Sequence, residues 1–288
     1  MVYLCADDYG LNAVSSMRIL ECIQKGALNK ASVFPNLGKI ELARILENEN
    51  AHVGLHVNLV EGKCMAKAEE VPLLADPKGN LINSYGKLLL LSLFSRKEFE
   101  KQVSKELKAQ IAAFLDALPA DVPFCIDSHQ HTHMIPVIFK ALIHVLKDGG
   151  INVKYIRIPN EPLLPYLSTP SLYFTYKPIN IIKQWFLKFL WFFNKPILKR
   201  FPIPTAYFMG ILFSGKMDEP RVTKLLPKYI KLAEKHGKDI ELLFHPGYLT
   251  QSETDFENKN IVFESFYLSA NRKTEFDSIV KLSEGSEL

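Results

Sequence analysis

Short apolar runs alternate along this chain with longer stretches in which apolar residues return every three or four positions. The runs are Val2–Ala6, Lys30–Phe34, His52–Leu59, Pro123–Ile126, Val153–Ile158, Tyr207–Phe213 and Ile240–Phe244. Each has the length and residue content of a strand. The period is clearest in His52–Leu59, where Val53, Leu55, Val57 and Leu59 alternate with His52, Gly54, His56 and Asn58. That alternation puts His56 and Asn58 on the face away from the aliphatic side chains. Helices are predicted from a cap at Asn12 or Ser15 to Gly26, then over Ile40–Leu46, Lys97–Leu118, Pro136–Lys147, Pro178–Lys195, Pro220–His236 and Phe263–Leu282. Phe99, Val103, Leu107, Ile111 and Phe114 define one face of the third of these. Pro136 suits the first position of the fourth. Strands alternating with helices predict an α/β fold with a parallel sheet flanked by helices.

Two stretches break the alternation. Glu61–Ser95 contains Pro72, Pro77, Gly79 and Gly86 and reads as a long loop near the mouth of a site. Residues from about 160 to 201 form an apolar insertion around the predicted helix Pro178–Lys195. On a helical projection Asn180, Lys183, Gln184, Lys188, Asn194 and Lys195 gather on one arc, with Leu187 and Trp191 intruding. The remainder, including Ile181, Ile182, Trp185, Phe186, Phe189 and Phe192, is apolar. Lys183, Gln184 and Lys188 interrupt it too often for a membrane span. It reads as a core helix or homodimer interface, or as a peripheral membrane contact over 178–195 and a wall for a lipid-bearing substrate. No repeat and no linker divides the chain, so one domain is expected over 1–288.

Composition narrows the class. The chain has 288 residues, 48% of them hydrophobic, enough for a full core. A net charge of +4, with Lys and Arg scattered, gives no basic stripe for nucleic acid. Cys5, Cys22, Cys64 and Cys125 form no CxxC pair and fit reduced residues of a cytoplasmic protein. Val2–Ala6 is not preceded by a charged and apolar leader, so a secretion signal is not expected. The expected location is the cytoplasm, with the apolar helix at the inner membrane face.

The candidate chemistry collects at strand ends. Val2–Ala6 runs into Asp7-Asp8-Tyr9-Gly10, and Ile240–Phe244 into His245-Pro246-Gly247-Tyr248. His56 lies in the third run, and Arg157 ends the fifth. Pro123–Ile126 leads into Asp127-Ser128-His129-Gln130-His131-Thr132-His133. If that segment stays extended, Asp127, His129, His131 and His133 share one face, with neighbours roughly 7 Å apart. In a parallel barrel all such ends lie on one rim, where distant residues converge. A carboxylate with two imidazoles is a common set for a divalent ion with open positions. Arg157, at another strand end, could orient Asp7 or a substrate hydroxyl.

Four pieces, in this order, resemble the YdjC-type carbohydrate deacetylases, which include chitooligosaccharide deacetylases. They are Ala6-Asp7-Asp8-Tyr9-Gly10-Leu11, Val53–Leu59 with Glu61-Gly62, Asp127–Met134, and His245–Tyr248. The family more often has Phe where Tyr9 stands, and residues 160–201 match none of its motifs. The resemblance implies a single-domain, distorted (β/α) barrel that binds one divalent metal ion, with magnesium or zinc the leading choices. It makes Asp8, His56 and His129 the metal ligands, Asp7 the general base and His245 a candidate general acid. Asp127, His131, His133 and Arg157 would stand behind these groups or against substrate. The roles of Asp7 and Asp8 could be exchanged, since they are adjacent carboxylates. The substrate implied is an N-acetylated amino sugar in an oligosaccharide or glycolipid.

The residue types suit amide hydrolysis. A divalent ion lowers the pKa of bound water and polarises a carbonyl. A carboxylate can take the water proton, and a histidine can protonate the departing amine. Two other readings compete: a different barrel metallohydrolase, phosphoesterase or amidohydrolase, and a non-catalytic carbohydrate-binding barrel. Against the first stands the lack of a second carboxylate-rich cluster or bridging lysine at a strand end.

Overall fold

The computed structural model describes residues 1–254 and 264–284. Six parallel strands form one curled sheet, an open half-barrel with helices packed around it. In chain order they are β1 (Val2–Tyr9), β2 (Lys30–Val33), β3 (His52–Val57), β4 (Phe124–Ser128), β5 (Tyr207–Met209) and β6 (Ile240–Phe244). Their order across the sheet is β4-β3-β2-β1-β6-β5. Every pairing is parallel, so all six carboxyl ends open on one rim.

The helices between them are α1 (Ala13–Gln24), α2 (Leu42–Leu46), α3 (Tyr85–Phe94), α4 (Arg96–Ala117), α5 (Pro136–Asp148), α6 (Leu163–Leu167), α7 (Pro178–Arg200) and α8 (Glu219–His236). After β6 come α9 (Glu264–Tyr267) and α10 (Ala270–Glu284). The first helix starts at Asn12, whose side chain accepts from the Ser15 amide at 2.8 Å and satisfies a backbone donor that the helix leaves open. Phe99, Val103, Leu107, Ile111 and Phe114 of α4 are buried, as their spacing predicts. The expected closing helix begins at Phe263, a residue outside those described.

Three expectations need correction. Val153–Ile158 is not a ladder strand; it makes a single parallel bridge, Ile126 to Ile156, through the Tyr155 carbonyl and the Arg157 amide, and on its other side Ile156 donates to Pro204, which lies outside any strand. The Glu61–Ser95 stretch carries a helix of its own, α3, capped by Ser84. The run Asp127–His133 does not stay extended. β4 ends at Ser128, and His129–Met134 form a 3₁₀ segment in which Gln130 and His131 have φ of 53° and 56°. Those left-handed residues turn the chain off the sheet, so the alternate side chains from Asp127 to His133 do not share a face.

Candidate active site

Adjacent residues of a strand ordinarily point to opposite faces. Asp7 and Asp8 nevertheless line the same pocket. The β1–β2 register shifts between Ala6 and Tyr9, and Asp8 has φ 70°, a conformation that aspartate tolerates better than most residues. This bulge turns both carboxylates to the carboxyl-end rim. From β3, His56 faces Asp127 of β4 in direct register. The Asp127 Oδ1 lies 2.5 Å from the His56 Nδ1. With that nitrogen engaged, the His56 Nε2 is turned toward Asp8 Oδ1, 3.5 Å away. The His129 Nδ1 approaches the same oxygen at 3.3 Å.

Asp8, His56 and His129 can each offer one ligand atom, all within 4.8 Å of one another. Asp8 Oδ1 and His56 Nε2 are buried without a hydrogen-bond partner, and buried polar atoms are ordinarily satisfied. One carboxylate oxygen and two imidazole nitrogens converging there fit a divalent ion. Asp7, His56 and Asp127 form a second close set, but its carboxylates are already engaged. Arg157 donates to both oxygens of Asp7, at 2.7 and 2.8 Å. Asp127 Oδ2 accepts from the Ser32 hydroxyl at 2.5 Å and lies 3.1 Å from Arg157 Nη2.

Beneath this layer is a fully buried charge network. Lys30 and Arg157 both reach Glu241 Oε1, at 2.8 and 2.7 Å. Two cations thus face three carboxylates: Asp7, Asp127 and Glu241. Burial alone would raise the Asp7 pKa, but the Arg157 guanidinium outweighs it and holds the carboxyl below its ordinary value. Burial likewise opposes ionisation of Asp8, and ion pairing with Arg272 of α10 overcomes it. For His56, burial disfavours the imidazolium, yet Asp7 and the bond to Asp127 push it up to about 10. The site therefore favours positive charge beside His56, supplied by a proton or a metal ion.

His245 follows β6 and lines the same pocket as Asp7, Asp8, His56 and His129. The Glu275 carboxylate of α10 accepts from its amide at 2.6 Å and lies 3.4 Å from its Nδ1. His131 also lines the pocket, with its ring edge-on to Phe208. His133 does not: it is buried between the Ser128 hydroxyl, 2.6 Å from its Nδ1, and the Arg157 carbonyl, 2.8 Å from its Nε2. It therefore braces the loop that carries His129. The pocket has a volume of about 430 Å³, and α3 and α7 contribute Tyr85, Lys183, Phe186 and Leu187 to its walls.

Several partners had no role assigned from the sequence, although Glu61 stands in one of the matching motifs. Glu61 lies 3.3 Å from the His129 Nε2 and bonds the Tyr267 hydroxyl. Arg272 and Glu275 arrive from α10, which carries no motif. Lys30 and Glu241 had a visible signal, being charged residues within short strands that hold no other charge. A buried charge in such a strand needs an opposite charge nearby.

The model of the family described as YdjC-like protein matches residues 1–281. A carbohydrate deacetylase from Danio rerio is 28% identical over 56% of this chain and 50% of its own length. One from Clostridium beijerinckii is 29% identical over 58% of this chain and 64% of its own. A chitooligosaccharide deacetylase from Serratia marcescens is 32% identical over 53% of this chain and 58% of its own. The matched part thus spans about half to two-thirds of these relatives. Among solved structures, one from Enterococcus faecalis, provisionally named as a cellobiose-phosphate cleavage protein, superposes with a TM-score of 0.66. It covers 97% of this chain and 90% of that one at 17% identity, a likeness of fold alone. With the family match running over nearly its whole length, the chain belongs to the YdjC-like protein family.

Proposed function

We propose that this protein is a metal-dependent carbohydrate deacetylase that hydrolyses the N-acetyl group of an amino sugar. The observation that carries this reading is the convergence of Asp8, His56 and His129 on one point of a pocket that Asp7 and His245 also line. The names of the similar proteins support the sugar amide as the bond attacked. In this reading the family domain fills the chain, with residues 160–201 as an apolar insertion.

Asp8, His56 and His129 would hold one divalent ion. Such an ion lowers the pKa of bound water and polarises a carbonyl. A set of two imidazoles and one carboxylate suits zinc or iron better than magnesium, which prefers oxygen ligands. Asp7 is ionised at neutral pH because Arg157 overrides its burial, so it can accept the proton of the attacking water. That water adds to the acetyl carbon, the C–N bond breaks, and acetate leaves. His245 donates a proton to the departing nitrogen, which becomes the free amine. Asp127 holds His56 by its Nδ1, and Arg157 keeps Asp7 aimed into the pocket.

The test is acetate release from N-acetylated amino sugars, by the wild-type protein and by His129→Ala, with and without a chelator. Release that needs both His129 and a divalent ion is expected. Stoichiometric metal binding with no release from any N-acetylated sugar would overturn the reading. Asp7→Asn distinguishes an enzyme from a binding module. Turnover should fall about 10²- to 10⁴-fold, the usual worth of a general base, while the metal is retained. A binding module would be indifferent.

A further inference from the structure

The helix α7 buries as many amides as leucines, the latter being Leu187, Leu190 and Leu198, and leaves most of its aromatic side chains outside. Its buried stripe includes three amides, Asn180, Gln184 and Asn194. They donate to main-chain carbonyls of Leu212, Glu161 and Met134. Several of its large apolar side chains face solvent: Ile182 at 63% exposure, Trp185 at 56%, Phe189 at 59% and Phe192 at 74%. Just before the helix, Phe174 is fully exposed. The neighbouring α3, whose Tyr85 ring meets Phe186 of α7, exposes Leu93 and Phe94 as well. Soluble monomers rarely leave so much aromatic surface uncovered.

The charge around this face indicates what covers it. Residues 162–217 contain seven Lys and Arg and no Asp or Glu. The rest of the chain has 28 basic against 31 acidic residues, so the positive excess lies wholly in this segment. A second copy docked face to face would bring like charges together, which is unfavourable. Exposed aromatics ringed by lysines suit the interface of a bilayer that bears anionic headgroups. Among the described residues no helix is long and apolar enough to cross a membrane, so α7 would lie in the surface plane. The same helix walls the pocket through Lys183, Phe186 and Leu187.

We propose that α7 docks on an anionic bilayer and that the pocket receives an amino sugar carried on a membrane lipid. The sugar half of this proposal rests on the deacetylase reading; the docking half does not. Both tryptophans of the chain, Trp185 and Trp191, lie on α7, so their emission reports this helix alone. The probe is a vesicle of phosphatidylcholine with phosphatidylglycerol. The protein should co-sediment with it, and its tryptophan emission should shift to the blue. Binding should weaken at least about tenfold on pure phosphatidylcholine or in high salt, since each nearby lysine adds about 1 kcal/mol at an anionic surface. The double variant Phe189→Ser/Phe192→Ser, outside the pocket walls, should lose binding to the same extent and keep its activity on a soluble N-acetylated sugar. Wild-type protein should prefer an N-acetylglucosaminyl lipid in those vesicles to a soluble N-acetylated oligomer. No co-sedimentation and unchanged emission would overturn the docking. So would a dimer that the double variant dissociates, because a second copy would then cover the face. Vesicle binding without acetate release from any sugar would overturn the lipid-borne sugar and leave the docking in place.

Discussion

Asp127 and His133 lie near the candidate metal ligands but act differently. Asp127 accepts from Ser32 and holds His56 by its Nδ1, which leaves Nε2 free to bind. Carboxylates behind a metal-bound histidine commonly contribute 10- to 100-fold in metal affinity. Asp127→Asn should therefore weaken metal binding by about that factor in equilibrium dialysis, and affinity equal to wild type would remove Asp127 from this role. His133 makes a pH prediction. Burial pushes its imidazole down to about 4, whereas an unfolded histidine titrates near 6.5. Between these values the unfolded chain binds the extra proton, so stability rises with pH across the window. The contribution is complete above about pH 6.5 and is lost as pH falls to about 4, amounting to about 3 kcal/mol. His56 is shifted the other way, and its stabilisation is lost only as pH rises from about 6.5 toward 10. Urea unfolding at several pH values from 4 to 7 should show the acid-side loss, and His133→Gln should reduce it, the remainder coming from His131, which burial also pushes down.

Elements decide which residues meet. Parallel register puts His56 beside Asp127, although 71 positions separate them. The bulge in β1 brings Asp7 and Asp8 to one rim. The helix α10 ties the end of the chain to the site through Arg272 on Asp8 and Glu275 on His245. The buried amides of α7 have a stability consequence. Asn194 is buried and donates to the Met134 carbonyl at 2.8 Å. Asn194→Ala should cost about 1–3 kcal/mol, the penalty for leaving a buried carbonyl unpaired. Phe192→Ser, at the solvent face, should change stability by less than about 0.5 kcal/mol. Thermal or chemical unfolding of the two variants separates them, and the opposite ranking would contradict this placement of the helix.

At the scale of the whole molecule, the buried network of Lys30, Arg157, Asp7, Asp127 and Glu241 joins β1, β2, β4 and β6 to the segment after β4. Arg157→Met would leave three buried carboxylates facing one lysine. Removing one partner of a buried ion cluster costs about 3–5 kcal/mol, and guanidinium unfolding should register that loss. An unchanged midpoint would mean that the network carries no net stability.

Much of this protein was legible in one dimension. Short apolar runs, with period-two alternation in His52–Leu59, pointed to all six ladder strands along with one segment, Val153–Ile158, that is not one, and period-3.6 patterns pointed to most helices, because side-chain direction follows backbone geometry within each element. The strand-end motifs marked Asp7, Asp8, His56, His129 and His245 as candidates because parallel strands deliver their carboxyl ends to one rim. Tertiary structure alone decided the rest. Two left-handed residues ended the Asp127–His133 run early, and local alternation cannot foresee a turn made by ordinary side chains. The pairing of Asp8 with Arg272 and of His129 with Glu61 and Tyr267 spans long loops of chain. The polarity of α7 was likewise undecidable in projection: a helical wheel shows two faces, but only the packed molecule shows which one the carbonyls of Leu212, Glu161 and Met134 hold inside.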